Sequence, residues 1–146
     1  MSDTRTPTYP TRQLCEFLAQ LKLEDVPTPV VERTKDLFLD WIASAIAGKD
    51  APAVRRIEEF AAAMGPVNGD AEVFVSRRRT SPYFAALING ASSHVVEQDD
   101  VHNGSVLHPA AVVFPAVVAA AQAACKTGAE VLQASIAGYE AGIRIG

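Results

Sequence analysis

Apolar residues recur along this chain at intervals of three and four, the repeat that lines one face of a helix. Leu14, Phe17, Leu18 and Leu21 make the first such stripe. A second runs through Val30, Val31, Leu37, Phe38, Trp41, Ile42, Ala45 and Ile46. Thr28-Pro29 opens it, because a hydroxyl caps well and proline tolerates the first turn, and Gly48 reads as the glycine just past its end. A third helix is predicted from near Ala51 to Met64, with Val54, Ile57 and Phe60 inward and Gly65-Pro66 as its stop. Ser81-Pro82 and His108-Pro109 start two more, the first running past His94 and the second containing Pro115, a predicted kink. After Gly128 a last helix carries Leu132, Ile136, Tyr139 and Ile143 to the end. Gly138 and Gly142, four apart on it, predict close packing against a neighbouring helix. Val73-Phe74-Val75 is the one strand signal, and since one strand makes no sheet, the segment 71–75 is expected as an extended connector. The fold class is therefore all-α, a helical bundle spanning 11–146 behind a polar, flexible N-terminus over 1–10.

Composition narrows the function classes. With 146 residues and 49% hydrophobic content the chain can bury one core. A net charge of −4 argues against nucleic acid, whose phosphates need a basic partner surface. The one basic run, Arg77-Arg78-Arg79, reads as a solvated loop, with an anion-contacting loop as the sharper alternative. Cys15 and Cys125 form no C-x-x-C pair and suit a reducing cytoplasm, where they act as small apolar residues. The apolar run from Ala110 to Ala121 is too short to span a bilayer and contains Pro115, and the N-terminus has no apolar signal core. A soluble cytoplasmic protein without membrane contact is expected.

Chemistry is concentrated in one place. All three histidines, His94, His102 and His108, fall within fifteen residues that also hold Glu97, Asp99 and Asp100. Titratable groups crowded into an otherwise apolar region are costly unless paired or used. The turn at Asn103-Gly104-Ser105 lets the segment fold back and bring its ends together. Three readings are open: helix caps and solvated loop residues with incidental histidines, a metal site, or an acid–base site. The histidine intervals, eight and then six residues, match no standard metal motif, so no metal is expected. Crowding favours the acid–base reading, in which a carboxylate orients an imidazole or stabilises its charged form. No G-x-S-x-G, P-loop or G-x-G-x-x-G occurs, and nothing marks Ser92, Ser93 or Ser105 as a nucleophile.

The run Ala85-Ala86-Leu87-Ile88-Asn89-Gly90, followed by His94, Asp99-Asp100, His102 and His108-Pro109, resembles the signature of the MmgE/PrpD family. Asp40-Trp41-Ile42-Ala43 with Ala47-Gly48, and Ala137-Gly138-Tyr139-Glu140 with Gly142 to Gly146, resemble further recurrent stretches of it. Two positions depart from the pattern: Glu97 stands where an aspartate is commoner, and Val101 where a threonine is usual. The resemblance implies the N-terminal part of a large helical domain, followed in complete members by a smaller α/β domain, with the active site in the cleft between them. It implies acid–base chemistry on small polycarboxylates without metal or organic cofactor: dehydration of 2-methylcitrate, decarboxylation of cis-aconitate or epimerisation of iminodisuccinate. Carried over by position, His108 and His102 would transfer protons, Asp99 and Asp100 would orient them, and Glu97, His94 and Ser105 would contact substrate.

The last helix is still running at Arg144-Ile145-Gly146, which suggests a truncated chain, and the four lysines (Lys22, Lys35, Lys49 and Lys126) lie away from the motif. The main expectation is a dehydratase-type lyase on a 2-methylcitrate-like polycarboxylate, homodimeric through its helical face. The alternatives are an epimerase or decarboxylase of a related acid, or a non-catalytic helical oligomerisation module.

Overall fold

A computed structural model describes residues 9–146, and the flexible tail expected over 1–10 falls, for residues 1–8, outside them. Six α-helices are described: α1 (Pro10–Gln20), α2 (Thr28–Gly48), α3 (Pro52–Met64), α4 (Pro82–His94), α5 (Pro109–Ala123) and α6 (Gly128–Ile145). The all-α class holds. Each of α1 to α5 has proline in its first turn, where the missing N–H would have had no helical partner. Ser81 caps α4 as predicted, accepting from the Phe84 N–H. Thr28 does not cap α2: the helix starts at Thr28 itself, behind Pro27, with no side-chain cap.

α4 is the central element, packed against α2, α3 and α5. One core cluster joins Val54 and Ala61 of α3, Ala85 and Ile88 of α4 and Ala119 of α5. A second surrounds Trp41, which is fully buried beside Phe38, Phe74 and Phe114, while Tyr139 from α6 meets Phe114 at 5.4 Å. These tilted and edge-on ring contacts add to simple area burial. Phe60, expected inward, is 53% exposed and meets Phe84 edge-on instead.

The segment 71–75 is more than a connector. Ala71–Val73 (β1) pairs antiparallel with Arg78–Thr80 (β2), so part of the basic run supplies the missing partner strand. Arg77 turns the hairpin at φ 59° and meets the Glu72 carboxylate at 2.8 Å. The other edge of β1 is satisfied by side chains. Buried Asn89 accepts from the Phe74 N–H and donates to the Glu72 carbonyl, while Gln122 accepts from the Glu72 N–H. Such bonds matter because a buried backbone group without a partner is destabilising.

Small residues permit the close helix contacts. Gly48, expected just past the end of α2, is its last residue and is buried; a Cβ there would lie 2.0 Å from the Ser92 carbonyl oxygen of α4. Gly138 bears out its predicted role, with a Cβ position 2.7 Å from Val113 on α5. Both cysteines are exposed and free rather than packed as apolar residues. Among the described residues, no helix is long and apolar enough to cross a membrane.

Candidate active site

The candidate functional segment is the connection between α4 and α5. α4 ends at His94, Glu97 reverses the chain at φ 51°, and His102 and Leu107 form an isolated antiparallel bridge across the Asn103–Ser105 turn. His108 is the N-cap residue of α5. The loop is thereby folded so that its two ends meet, as the turn residues predicted.

At the meeting point lies Asp99, whose side chain is fully buried (0% exposed). His94 Nδ1 lies 3.3 and 3.1 Å from its two carboxylate oxygens, and His108 Nδ1 lies 3.4 Å from Oδ2. The His108 contact lacks hydrogen-bond alignment, since that nitrogen has no hydrogen-bond partner; we read it as an electrostatic neighbour rather than a bond. The two imidazoles meet edge-to-face with centroids 4.8 Å apart. An ionised carboxylate only accepts, so His94 carries its proton on Nδ1 and leaves Nε2 bare. The same tautomer suits His108. Its Nδ1 is buried although the side chain is 36% exposed, so solvent reaches the ring from the side away from Asp99.

The neighbouring acid does different work. Asp100 Oδ1 accepts from the Ala110 N–H in the first turn of α5, and Oδ2 accepts from the Tyr139 hydroxyl of α6 at 2.8 Å. A carboxylate at a helix N-terminus satisfies a free N–H and opposes the positive end of the helix dipole. Burial, followed by the charge and hydrogen bond of Asp100, pushes the Tyr139 hydroxyl well above its ordinary value, so Tyr139 stays a neutral donor. Asp100 thus pins α5, and with it His108, to α6.

The remaining predicted residues lie apart from the Asp99 cluster in their bonding. His102 Nδ1 accepts from the Ser105 backbone N–H at 3.1 Å and lies 2.8 Å from the Ser105 hydroxyl, so these two pair with each other. Glu97 is exposed. Val106, in the same turn, holds φ 49°, an uncommon conformation for a β-branched residue, and is 88% exposed. Beside the imidazoles an open groove between α4 and α5 is lined by apolar residues, among them Leu87, Ala91, Leu107, Val112 and Pro115. Tyr139 is the contributor that residue reasoning missed as a site residue. Its only local signal was membership of a recurrent Gly-Tyr-Glu stretch, because its partner lies 39 residues away. Ligand atoms of His94, Asp99 and His108 all lie within 4.8 Å of one another, a set that a metal ion could use as well as a proton.

Across the chain, the MmgE/PrpD N-terminal domain pattern matches residues 12–146. The chain belongs to the MmgE/PrpD family. Among MmgE/PrpD relatives, a cis-aconitate decarboxylase-like protein, oryM, of Aspergillus oryzae is 35% identical over 147 residues, covering 93% of this chain and 30% of its own length. A cis-aconitate decarboxylase of Aspergillus terreus is 33% identical over 150 residues, covering 99% of this chain and 30% of its own length. The chain therefore spans about 30% of the length of the MmgE/PrpD proteins it matches. No solved structure gives a significant match.

Proposed function

We propose that this domain supplies the acid–base half of a lyase-type active site acting on a small polycarboxylate, with no metal or organic cofactor. The observation that carries the reading is Asp99, a fully buried carboxylate in contact with two imidazoles whose far edges reach solvent. A buried carboxylate beside an imidazole fixes its tautomer and stabilises the imidazolium formed when it takes a proton. Two imidazoles on one carboxylate allow one to be a base while the other is an acid. In dehydration, the neutral ring takes the proton from carbon, the C–H electron pair forms the new double bond, and the C–O bond breaks. The other ring enters this step as imidazolium, the departing hydroxide takes its Nε2 proton, and water leaves. His108 is the principal proton carrier and His94 its partner; Asp99 orients both.

A second reading is supported by the relatives, one named a cis-aconitate decarboxylase and the other a cis-aconitate decarboxylase-like protein. There the C–C bond to a carboxylate breaks, carbon dioxide leaves, and the carbon takes a proton from the imidazolium. The domain by itself is expected to be inactive, so one experiment separates them in a protein that carries it together with the other half of the site: incubate that protein with 2-methylcitrate and with cis-aconitate, and follow loss of water or of carbon dioxide by mass spectrometry. Activity that EDTA abolishes and zinc or iron restores would replace the acid–base reading by a metal one. Turnover of neither acid would refute the substrate class.

A further inference from the structure

His102 is the one histidine that Asp99 does not hold, and its hydrogen bonds differ in kind from those of the other two. Its Nδ1 accepts from the backbone N–H of Ser105 at 3.1 Å. A backbone amide is only a donor, so this nitrogen presents its lone pair and carries no proton. The Ser105 hydroxyl, 2.8 Å from the same nitrogen, adds a second group that is able to donate. The single proton of the neutral ring must then sit on Nε2. The backbone N–H carries this assignment; the Ser105 hydroxyl also lies 3.5 Å from the His102 carbonyl oxygen, so its contact with Nδ1 fits either direction.

This tautomer is the reverse of the one Asp99 imposes on His94. The site therefore contains imidazoles of two kinds, with Nδ1–H directed at a buried carboxylate in one and Nε2–H in the other. A proton acceptor needs a bare outer nitrogen, which His102 does not offer. Taking a second proton at Nδ1 would break the Ser105 N–H bond, held within a turn closed on both sides by the His102–Leu107 bridge. The ring is also packed: a Cβ at Gly104 would stand 3.1 Å from His102 Cε1, so the glycine gives the imidazole its place over the turn. The bridge sets His102 opposite Leu107, which lines the same groove as His94 and His108.

We propose that His102 is a fixed neutral N–H donor that binds a carboxylate oxygen of the substrate through Nε2, and that it takes no part in proton transfer. The choice of a carboxylate rests on the polycarboxylate reading above; the tautomer does not. A neutral donor holds an oxyanion without competing for the proton being moved, as neutral imidazoles do elsewhere at carbonyl-polarising sites.

The test has two arms. In the first, two-bond proton–nitrogen NMR correlation on histidine-labelled protein near neutral pH should show His102 with hydrogen on Nε2 and a bare Nδ1, and His94 with the opposite pattern. A proton on His102 Nδ1 would overturn the proposal whatever the enzyme does. In the second, cis-aconitate is titrated into the same sample. A shift of the His102 Nε2–H, with shifts at His94 and His108, is the expected result. Shifts at His94 and His108 alone would refute the role of His102 but keep the substrate class, and no shift at any histidine would refute both. As a control on folding, His102→Gln keeps a donor near the Nε2 position and should hold KM within about threefold. His102→Ala should raise KM about tenfold or more, the scale of losing one hydrogen bond to a charged group. The pH profile of kcat should be unchanged in both variants; a lost limb in His102→Gln would show it to be a proton carrier.

Discussion

At the scale of single residues, the two adjacent acids divide the work, and their substitutions should separate accordingly. Asp99→Asn keeps the shape of the side chain but removes its charge and turns one acceptor oxygen into an amide donor, which weakens its bond to His94 Nδ1–H and its attraction for the neighbouring His108 ring. Turnover should fall at least about 100-fold, as should that of His108→Ala, the lower range for losing or misorienting an acid–base group. Asp100→Asn should act more weakly. Its Oδ1 still accepts from the Ala110 N–H, and its amide is able to donate to the Tyr139 oxygen. Tyr139→Phe removes the hydroxyl alone, and should cost about 1 kcal/mol of stability, seen as a lower denaturant midpoint. Steady-state kinetics and urea unfolding on the four variants check the division. Equal losses for Asp99→Asn and Asp100→Asn would contradict it.

Among the elements, α6 starts with a reciprocal cap: Thr127 accepts from the Glu130 N–H, and the Glu130 carboxylate accepts from the Thr127 N–H. Thr127→Ala should destabilise the fold by about 1 kcal/mol. The Lys126 hydrogen bond, then the Thr127 donors, hold the Glu130 carboxyl at about 2, below its ordinary 4.5. The sign follows from linkage. A carboxyl depressed in the folded state contributes stability that is fully present above about pH 4.5 and is lost as the pH falls towards 2. The site is exposed, so salt should weaken the effect. Thermal melts of wild type and Glu130→Gln should converge on acidification through that window; a constant gap would refute the assignment. At the α2–α4 contact, Gly48→Ala drives a methyl into the Ser92 carbonyl and should cost about 1–3 kcal/mol, measurable by urea unfolding.

Across the whole molecule, apolar surface is left open along α5. Ala116, Val117, Ala120 and Ala121 of α5, with Ala124 just past its end, form an open groove with Val131 and Ala134 of α6, and the α4–α5 groove lies beside the histidines. Open apolar surface of this kind favours association. The 146-residue chain should therefore self-associate at micromolar concentration in sedimentation velocity. A clean monomer across that range would show that these faces do not pair. The proposed substrate chemistry and the association are separate matters, since the imidazole pair and Asp99 are built within one chain.

How much was legible in the residues depends on the range of the interaction that decides it. Helix positions, the Ser81 cap and the packing role of Gly138 follow from periodicity and from contacts that small residues permit, so the chain alone determined them. The motif run from Ala85 to Pro109 likewise marked the family, and the crowding of three histidines and three acids singled out the candidate site. Partnership was another matter. Sequence alone treats Asp99 and Asp100 as one acidic pair; tertiary packing gives the first two histidines and the second a helix end and a tyrosine. The basic run could not be read as a strand because its partner, β1, is only three residues long, and the other edge of β1 is closed by the side chains of Asn89 and Gln122 rather than by a further strand. Gly48 looked like a helix terminator because the Ser92 carbonyl that excludes its side chain is 44 residues away. Local propensity is written over a few neighbours, whereas a buried carboxylate takes whichever donors the packed helices bring to it, and only the assembled fold decides which those are.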